Sequence, residues 1–425
     1  YEDLMIQDFP AAYVIPADSE IQNSPHQPAR LINFLLFNDV QVEQATEAFT
    51  LDGVDYPKGT YVVWLDQPKR GLANVILDDG LDLSYIPGLY FYSPPSVWSH
   101  PRLWGVNLAV MEDKLDIKTK TINKADEPAG SMEGGQLEAY AFLPTSIAAF
   151  KATNDLLNRG ITLYRNAEPF SNSGRNFGAG AIIVPGQSSL ANELANQHAL
   201  DVFALSEIPE DAVMMRAQKI AVYGDEGVSH CLKTLGFSFD EVSRSELNSG
   251  IIAGYDVFIN WGLRWSSLDA AGQASMLSWF ASGGDYVGLS YRGRSIDFVV
   301  DAGLVTVDYG YISGNAIVKL DYDPSDSVAA GFLEDGYAFV YRSLWFTDWG
   351  SMEVSASLDA GDFLVSGFWE DWQISGANGM PIIVHGENGD EGLQDTVLIG
   401  IDPTFRGHPE DTFRIVGNAI YTGLD

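Results

Sequence analysis

Short apolar segments alternate with amphipathic ones along the chain, and two stretches repeat one order of elements. Each reads strand, helix, strand, loop, strand. The apolar strands lie at residues 12–16, 40–42 and 60–63 in the first stretch and at 139–144, 161–164 and 181–185 in the second. The spacing from Leu36 to Gly59 recurs from Leu157 to Gly180. Such units bury a sheet under helices, which predicts two related βαβ units.

These patterns place the first α/β unit at residues 1–114 and the second at 136–215. The segment 115–135 between them is polar and punctuated by Gly and Pro. Its alternating residues 115–119 (LDIKT) predict an edge strand within a linker.

From residue 216 the pattern becomes strand–helix alternation, with apolar strands at 219–224, 255–260 and 285–288. This spacing is typical of a doubly wound parallel sheet and predicts a flavodoxin-like domain that begins at 216–304. Short strands and frequent turns at 305–392 predict a β-rich insertion. The final segment, 393–425, returns to a strand and a helix, which we expect to complete the same sheet.

The net charge of the chain argues against several classes of function. The 425 residues include 58 acidic and 24 basic side chains, for a net charge of −34. Such a chain repels phosphate backbones and anionic lipid, so nucleic-acid binding is not expected. No apolar run approaches the roughly 20 residues needed to span a bilayer. The balance suits a secreted protein, extracellular or periplasmic.

Cysteine and the first residues add two expectations. Cys231 is the sole cysteine, which excludes a disulfide within the chain and a thiolate metal cluster. It falls on a predicted helix, so we expect a buried, inert thiol. The sequence starts at Tyr1 without an initiator Met or a signal-peptide pattern, and we interpret this start as a cut end.

The order of several short motifs resembles the region that follows the catalytic domain in large bacterial zinc carboxypeptidases. The motifs are residues 12–16 (AYVIP), 40–45 (VQVEQA), 56–63 (YPKGTYVV), 67–70 (QPKR), 405–407 (FRG), 412–414 (TFR) and 418–420 (NAI). Residues 255–257 (YDV) and 283–288 (GGDYVG) resemble the glutamine-amidotransferase-like domain of those proteins. The resemblance implies a secreted, metallopeptidase-associated region whose partner is an N-terminal catalytic domain.

The zinc site of that family is missing from the sequence. The family binds zinc through a His-x-x-Glu pair and a later His, because zinc hydrolysis needs two nitrogens and one carboxylate as ligands and one open position. The six histidines are His26, His100, His198, His230, His385 and His408, and none is followed by Glu three positions on. Residues 408–411 (HPED) carry Asp there. Zinc and peptidase activity are therefore not expected.

A class I amidotransferase uses a Cys on a tight strand–helix turn together with a His-x-Glu pair. The corresponding turn here, residues 288–293 (GLSYRG), carries Ser290 instead of Cys. His408 and Glu410 follow the last predicted strand. Two interpretations stay open: a degenerate, inactive site, or a hydrolase that uses Ser290, His408 and Glu410.

Acidic loops make calcium the more plausible ion. Residues 321–326 (DYDPSD) offer Asp321, Asp323 and Asp326, and residues 387–392 (ENGDEG) offer Glu387 and Asp390. Hard oxygen ligands at such spacing suit calcium, although neither loop matches the twelve-residue EF-hand pattern. The alternative is that these are solvated loop acids.

Tryptophans cluster in the predicted β-rich insertion. Trp345 and Trp349 lie in one segment, and Trp369 and Trp372 in another. They would line a groove for a glycan or peptide, fill the core of the insertion, or form a subunit interface.

Two classes of function follow. The first is a non-catalytic accessory region that stabilises, positions or targets a secreted carboxypeptidase-like domain, or binds a ligand for it. The alternative is a structural subunit of an extracellular homo-oligomeric assembly. The hydrolase based on Ser290 is a third and weaker interpretation.

Overall fold

The computed structural model describes residues 9–17, 21–86, 99–135, 137–186, 188–311, 314–388 and 393–423. The prediction of a mixed α/β protein is confirmed, because helices and several sheets share the chain. The chain divides into two compact units, Tyr1–Gly80 with Val97–Pro128, and Leu81–Ser96 with Ala129–Asp425.

The first unit is built on one five-stranded sheet. Its elements are β1 (Ala12–Ile15), α1 (Gln27–Phe37), β2 (Val42–Ala45), β3 (Phe49–Leu51), β4 (Val54–Tyr56), β5 (Tyr61–Trp64), α2 (Arg70–Leu77), α3 (His100–Trp104), β6 (Ala109–Met111) and β7 (Thr119–Ile122). The strand order is β6-β1-β5-β2-β7. The predicted linker therefore supplies the edge strand β7 of this sheet, paired with β2.

Alternation of buried side chains explains how this sheet forms. Ala12 and Val14 of β1 point to one face, where they meet Val62 and Met111 of the neighbouring strands in a small core. Residues of a strand alternate between its two faces, so Tyr13 points the other way. Its hydroxyl donates to the Asn74 side chain of α2 over 2.9 Å, which ties the helix to the sheet.

The second unit begins with a six-stranded sheet in the order β15-β10-β13-β9-β14-β8. Its elements are β8 (Met132–Glu133), β9 (Ala139–Phe142), α4 (Ile147–Asn158), β10 (Tyr164–Asn166), β11 (Phe170–Asn172), β12 (Arg175–Phe177), β13 (Ile182–Pro185), α5 (Ser188–His198), β14 (Val202–Leu205) and β15 (Ala212–Met214). Ser146 caps α4 by accepting a hydrogen bond from the Ala149 amide.

The first two sheets share one connectivity. In each, the strand before the first helix and the strand after it flank a later antiparallel strand: β5 lies between β1 and β2, and β13 between β9 and β10. The predicted βαβ strands are thus not direct neighbours, as a simple βαβ unit would have them. Each stretch also contains a separate two-stranded hairpin with a two-residue turn, at Asp52-Gly53 and at Ser173-Gly174, and all four turn residues have positive φ.

A ten-stranded mixed sheet forms the rest of the second unit. Its first part contains β16 (Ile220–Tyr223), α6 (Glu226–Leu235), β17 (Phe239–Glu241), α7 (Arg244–Asn248), β18 (Val257–Asn260), α8 (Ala270–Ala281), β19 (Asp285–Leu289) and α9 (Arg294–Asp301). Three of these four helices start at a capping side chain: Asp225 caps α6, Ser243 and Glu246 form a capping box on α7, and Asp269 caps α8. Helix α9 starts after Gly293 without a side-chain cap.

The segment predicted as a β-rich insertion extends this sheet. Its elements are β20 (Asp308–Tyr311), β21 (Asn315–Tyr322), β22 (Asp335–Tyr341), β23 (Leu344–Asp348), β24 (Glu353–Leu358), β25 (Leu364–Phe368), α10 (Asp371–Ala377) and β26 (Pro381–Asn388). Strand β27 (Leu393–Ile399) and helix α11 (Phe413–Thr422) follow. The order is β17-β16-β18-β19-β27-β26-β24-β21-β22, with β25 also paired to β21. Strands β20 and β23 pair separately.

Strand β27 joins the two halves of the sheet. It runs parallel to β19 and antiparallel to β26, and residues Val397–Ile399 are buried. The strands on the β19 side are parallel and those on the β26 side antiparallel. The segment between α9 and β27 is therefore part of one continuous sheet.

Helix α11 lies at the centre of the second unit and is buried along its whole length. Tyr421 donates from its hydroxyl to the Asn154 side chain over 2.8 Å and stacks on Phe150, both on α4. Asn154 in turn donates to the carbonyl of Leu235 at the end of α6. These contacts fasten the six-stranded sheet to the ten-stranded one.

Two polar side chains of α11 hold the loop that follows β21. The Arg414 guanidinium donates to the Gly331 carbonyl over 2.8 Å and lies 3.9 Å from the centre of the Phe332 ring. Asn418 donates to the carbonyls of Val328 and Ala330. Arg414 is charge-balanced by Asp411 at 2.5 Å, and both side chains are buried. A buried charge needs such a partner.

None of the helices in the described residues is both long enough and apolar enough to pass through a bilayer. This agrees with the expectation of no membrane span.

The approach of Trp279 to Gly284 gives a test of packing in the parallel half of the sheet. A Cβ at Gly284 would lie 2.0 Å from the buried indole, whereas one at Gly254 would meet no atom within 4 Å. We expect Gly284→Ala to lower the free energy of unfolding by about 1–3 kcal/mol, because overpacking displaces a fixed ring. Gly254→Ala should change it by less than about 0.5 kcal/mol. Urea unfolding followed by fluorescence measures both, and equal effects would contradict this packing.

Candidate functional site

The carboxyl ends of β16, β18, β19 and β27 meet at one edge of the sheet, where α/β proteins place their ligands. Ser290 comes directly after β19, and helix α9 begins at Arg294. Arg292 and Gly293 between them have φ values of 57° and 73°. The predicted strand–turn–helix is present, but the left-handed residues follow Ser290 instead of including it.

Ser290 is enclosed. It is 2% exposed, and its amide donates to the Ile399 carbonyl over 2.9 Å. Its hydroxyl has no hydrogen-bond partner among the described residues. A serine nucleophile needs a base within hydrogen-bond reach, and neither His408 nor Glu410 bonds to this hydroxyl. The structure does not join the three residues as a triad.

His408 and Glu410 lie in the turn between β27 and α11. The amide of His408 donates to the Phe405 carbonyl, and the amide of Glu410 donates to the His408 carbonyl over 2.9 Å. Glu410 begins a short 3-10 helix and is 7% exposed. Both residues therefore belong to the backbone turn that leads into α11.

Asn260, at the end of β18, carries polar structure that the sequence analysis did not single out. Its amide group donates to the Leu263 carbonyl and to the Tyr286 hydroxyl. Its carbonyl oxygen accepts from the amides of Gly262 and Leu263. The sequence signal for this role was an Asn at the end of an apolar strand. Asn260 fixes the loop after β18 and has no spare group for a ligand.

Aromatic stacking closes the same edge. The rings of Trp261 and Tyr291 stack with centroids 4.2 Å apart, and the Arg294 guanidinium lies 5.0 Å from the Tyr291 ring. Asp402, after β27, is buried, and burial raises the pKa of its carboxyl well above the usual range, with a contribution from the Asp225 charge. Side chains at this edge therefore pack against one another.

Within the described residues, Asp321, Asp323 and Asp326 do not form one group of metal ligands. Asp323 accepts hydrogen bonds from the amide and hydroxyl of Ser325 within its own turn. Among the described residues, no set of three metal-binding side chains includes Asp321 or Asp323. The side chain of Glu387 and the whole of Asp390 lie outside the described residues.

Asp326 lies instead against His385 and Glu353. Donor atoms of these three side chains all lie within 4.8 Å of one another. Nε2 of His385 is 2.6 Å from Oδ2 of Asp326 and 3.8 Å from Oε2 of Glu353. Glu353 and His385 are cross-strand partners on β24 and β26, whereas Asp326 comes from the loop after β21. Sequence distance concealed this juxtaposition, which only strand register creates.

Charge and burial oppose one another in the Asp326–His385 pair. Burial raises the pKa of Asp326, but the hydrogen bond and charge of His385 outweigh it, and the carboxyl pKa is lowered. Burial likewise lowers the pKa of His385, and Asp326 outweighs it, so that the imidazole pKa is raised. Each group favours the charged form of the other.

A second group, Asp155, Glu193 and His198, meets the same distance criterion on the surface of α4 and α5. Its two acids are already paired with one cation: Arg159 lies 3.0 Å from Asp155 and 2.5 Å from Glu193. This group is an exposed ion-pair network.

The tryptophan cluster of the predicted insertion lies mostly in the core. Trp369 is fully buried and Trp345 is 4% exposed, and their ring centroids lie 5.7 Å apart. Trp349 packs partly buried against the cluster on the other face of the sheet. The side chain of Trp372 lies outside the described residues. Of the three interpretations, the positions of Trp345 and Trp369 favour core packing.

Asp285 is a buried acid at the opposite end of the parallel strands. Burial raises its pKa to about 8, assisted by the charges of Asp395 and Asp256 and opposed by that of Arg216. Arg216 is itself paired with Asp256 at 2.8 Å. Gly423, after α11, fits against the Asp285 carboxyl, where a Cβ would lie 1.9 Å from Oδ2.

Comparison with known proteins gives no family. No protein-family model and no curated protein matches the chain. Among solved structures, α-L-fucosidase isoenzyme 2 from Paenibacillus thiaminolyticus aligns with a TM-score of 0.31 and 12% identity over 48% of this chain, but over only 32% of its own. The glutaminase domain of CTPS from Trypanosoma brucei, solved with bound acivicin, aligns with a TM-score of 0.26 and 11% identity, covering 48% of this chain and 93% of its own. Neither likeness is close enough to define a fold or a function.

Substitutions at the carboxyl edge separate structure from catalysis. Asn260→Ala removes four hydrogen bonds and leaves buried partners unsatisfied, so we expect a loss of about 2–4 kcal/mol in the free energy of unfolding. Ser290→Ala removes a hydroxyl without a protein partner and should change stability by less than about 1 kcal/mol. Chemical denaturation measures both values. A large loss in Ser290→Ala alone would show that the hydroxyl has a partner.

The raised pKa of Asp285 predicts that the free energy of unfolding depends on pH. Because its pKa is raised in the folded chain, the folded state binds the proton more tightly than the unfolded state between about pH 4 and pH 8. The free energy of unfolding should fall as pH rises through this window, by an amount on the order of 2–5 kcal/mol, and level off above it. Asp285→Asn should remove that fall, as measured by urea midpoints at several pH values. A fall of unchanged size in the variant would assign it to other groups.

Proposed function

We propose that this chain is a non-catalytic accessory region of a secreted zinc-carboxypeptidase-like protein. The region would stabilise or target a catalytic domain, or bind a ligand for it. The observation that carries the proposal is the enclosed Ser290. The position where a catalytic turn would expose a nucleophile holds a buried hydroxyl with no described hydrogen-bond partner and no bonded base.

The proposal assigns the parallel half of the large sheet to a flavodoxin-like, degenerate class I amidotransferase-like domain. Its strands lie in the order β17-β16-β18-β19-β27, which in chain order is the 2-1-3-4-5 arrangement of doubly wound folds. Cys231 does not replace the missing nucleophile, because it lies on α6 and is fully buried, and burial raises the pKa of its thiol. The antiparallel strands are the β-rich insertion of this domain.

The proposal also treats the first two sheets as related units. The order β6-β1-β5-β2-β7 in one corresponds element by element to β14-β9-β13-β10-β15 in the other. The glycine before the central strand has positive φ in both, with 102° at Gly59 and 77° at Gly180. In the second unit this module packs on the large sheet through α4.

A secreted location is proposed from the net charge of −34 together with the motif resemblance. Acidic surfaces keep a protein soluble in salt-rich media. The alternative, a subunit of a homo-oligomeric assembly, would need a large apolar contact between copies, and obligate contacts of this type bury more than about 2,000 Å². Exposed apolar side chains such as Phe37 and Met214 support this alternative, because they could contribute to such a contact.

Activity assays test the proposal directly. The purified chain, with and without added zinc, should release no amino acid from peptides with a free carboxyl terminus. It should also hydrolyse neither glutamine nor a nitrophenyl ester above the rate of Ser290→Ala. The physical reason is that the two candidate nucleophiles in the described residues, Ser290 and Cys231, are buried.

Zinc-dependent peptidase turnover, or ester hydrolysis that Ser290→Ala abolishes, would overturn the non-catalytic proposal. Light scattering after size exclusion separates the alternatives. A monomer at micromolar concentration fits an accessory region, whereas a defined oligomer favours the structural subunit.

A further inference from the structure

The cluster of Asp326, Glu353 and His385 brings two carboxylates to one buried imidazole. His385 is 8% exposed, and its Nδ1 has no hydrogen-bond partner among the described residues. An imidazolium carries a proton on both nitrogens, and a buried N–H without a partner costs free energy. Asp326 favours the imidazolium, but its contact satisfies only Nε2, so the Nδ1–H is left without a partner among the described residues. A metal ion bound at Nε2 would replace the proton there, with the remaining proton still on Nδ1.

Negative charge at the cluster exceeds what His385 can balance. Asp326 and Glu353 both face Nε2, and the charge of Asp395 on β27 also acts on the ring. Against these acids stands one imidazole. Like charges held this close are stabilised by a cation of higher charge.

The anchoring of Asp326 suits a ligand role. Its Oδ1 accepts hydrogen bonds from the amides of Val328 at 2.8 Å and Ala329 at 3.2 Å. These bonds fix the carboxylate and leave Oδ2 directed at His385. Carboxylates and imidazoles that bind metals are commonly oriented by such outer hydrogen bonds.

The distances fit a small divalent cation. Donor atoms that bind one tetrahedral zinc at about 2.0–2.2 Å lie about 3.3 Å from one another. The two measured separations from Nε2, 2.6 Å and 3.8 Å, fall on either side of that value. The first separation would have to grow by about 0.7 Å and the second to shrink by about 0.5 Å. Glu353 is 78% exposed on its side chain, so it can move and gives the ion a path from solvent.

We propose that Asp326, Glu353 and His385 form a binding site for a divalent transition-metal cation of the zinc type. An imidazole with two carboxylates suits such a cation better than calcium, which takes oxygen ligands. The ion would join the loop after β21 to strands β24 and β26. This site has no relation to the His-x-x-Glu motif whose absence led us to expect no zinc, and its proposed role is structural.

The test uses the full chain, freed of metal with a chelator and titrated with Co²⁺, whose visible absorption reports the ligand set. We expect one Co²⁺ per chain with a spectrum that Zn²⁺ abolishes by displacement and that millimolar Ca²⁺ leaves unchanged. Glu353→Gln should weaken Co²⁺ affinity at least tenfold, and His385→Asn should abolish the absorption. Because Glu353 is exposed, Glu353→Gln tests the site even if His385→Asn fails to fold.

Glu193→Gln is the matched control. It changes a carboxylate in the group of Asp155, Glu193 and His198, where the acids are paired with Arg159. It should leave the Co²⁺ affinity unchanged. Zinc should also raise the melting temperature of the wild-type chain and of Glu193→Gln, but not that of Glu353→Gln at the same concentration. Equal affinity in all the variants would show adventitious surface binding, and displacement of Co²⁺ by Ca²⁺ would overturn the assigned class of metal.

Discussion

Hydrogen bonding on both edges of β27 is the constraint on which the second unit depends. Because β27 pairs with β19 on one side and β26 on the other, it turns a parallel sheet and an antiparallel sheet into a single layer. Without it, both neighbours would present unpaired backbone groups in the interior, which proteins avoid. The chain therefore leaves the parallel half of the sheet after β19 and returns beside that strand as β27.

The loop after β21 illustrates how polar groups specify packing within that frame. Arg414 and Asn418 of α11 hold its carbonyls from one side, and His385 holds Asp326 from the other. These contacts are directional, so they fix one position of the loop, whereas apolar contacts alone would tolerate several. A loop fixed in this way can present a carboxylate to two strands with little loss of conformational freedom.

The mixed α/β class and most strands from residue 219 to 289 were predictable, because buried parallel strands are continuous apolar runs bounded by helix caps. The shared order of the first two stretches was visible in their spacing. The antiparallel strand between β1 and β2 was not, because periodicity reports which face is buried and not which strand is the neighbour. For the same reason the continuation of the large sheet into residues 315–388 could not be derived from a β-rich pattern.

Site prediction from the sequence was limited in the same way. The turn at Ser290 was located correctly, but the burial of its hydroxyl depends on the loops around it. Asp326 was one of the candidate metal ligands, yet the sequence grouped it with Asp321 and Asp323, its neighbours in the chain. Its observed partners, Glu353 and His385, are brought to it by cross-strand register. Register depends on the whole sheet, and local motifs do not encode it.

The late position of β27 in the chain has a consequence for biosynthesis. A ribosome releases β19 long before the strand that covers its edge, so the nascent protein carries an unpaired, apolar strand while more than a hundred further residues are made. Non-local pairing of this type is slow, and exposed edges recruit other chains. We therefore expect that protection of this edge during synthesis, for example by a chaperone, increases the yield of folded protein.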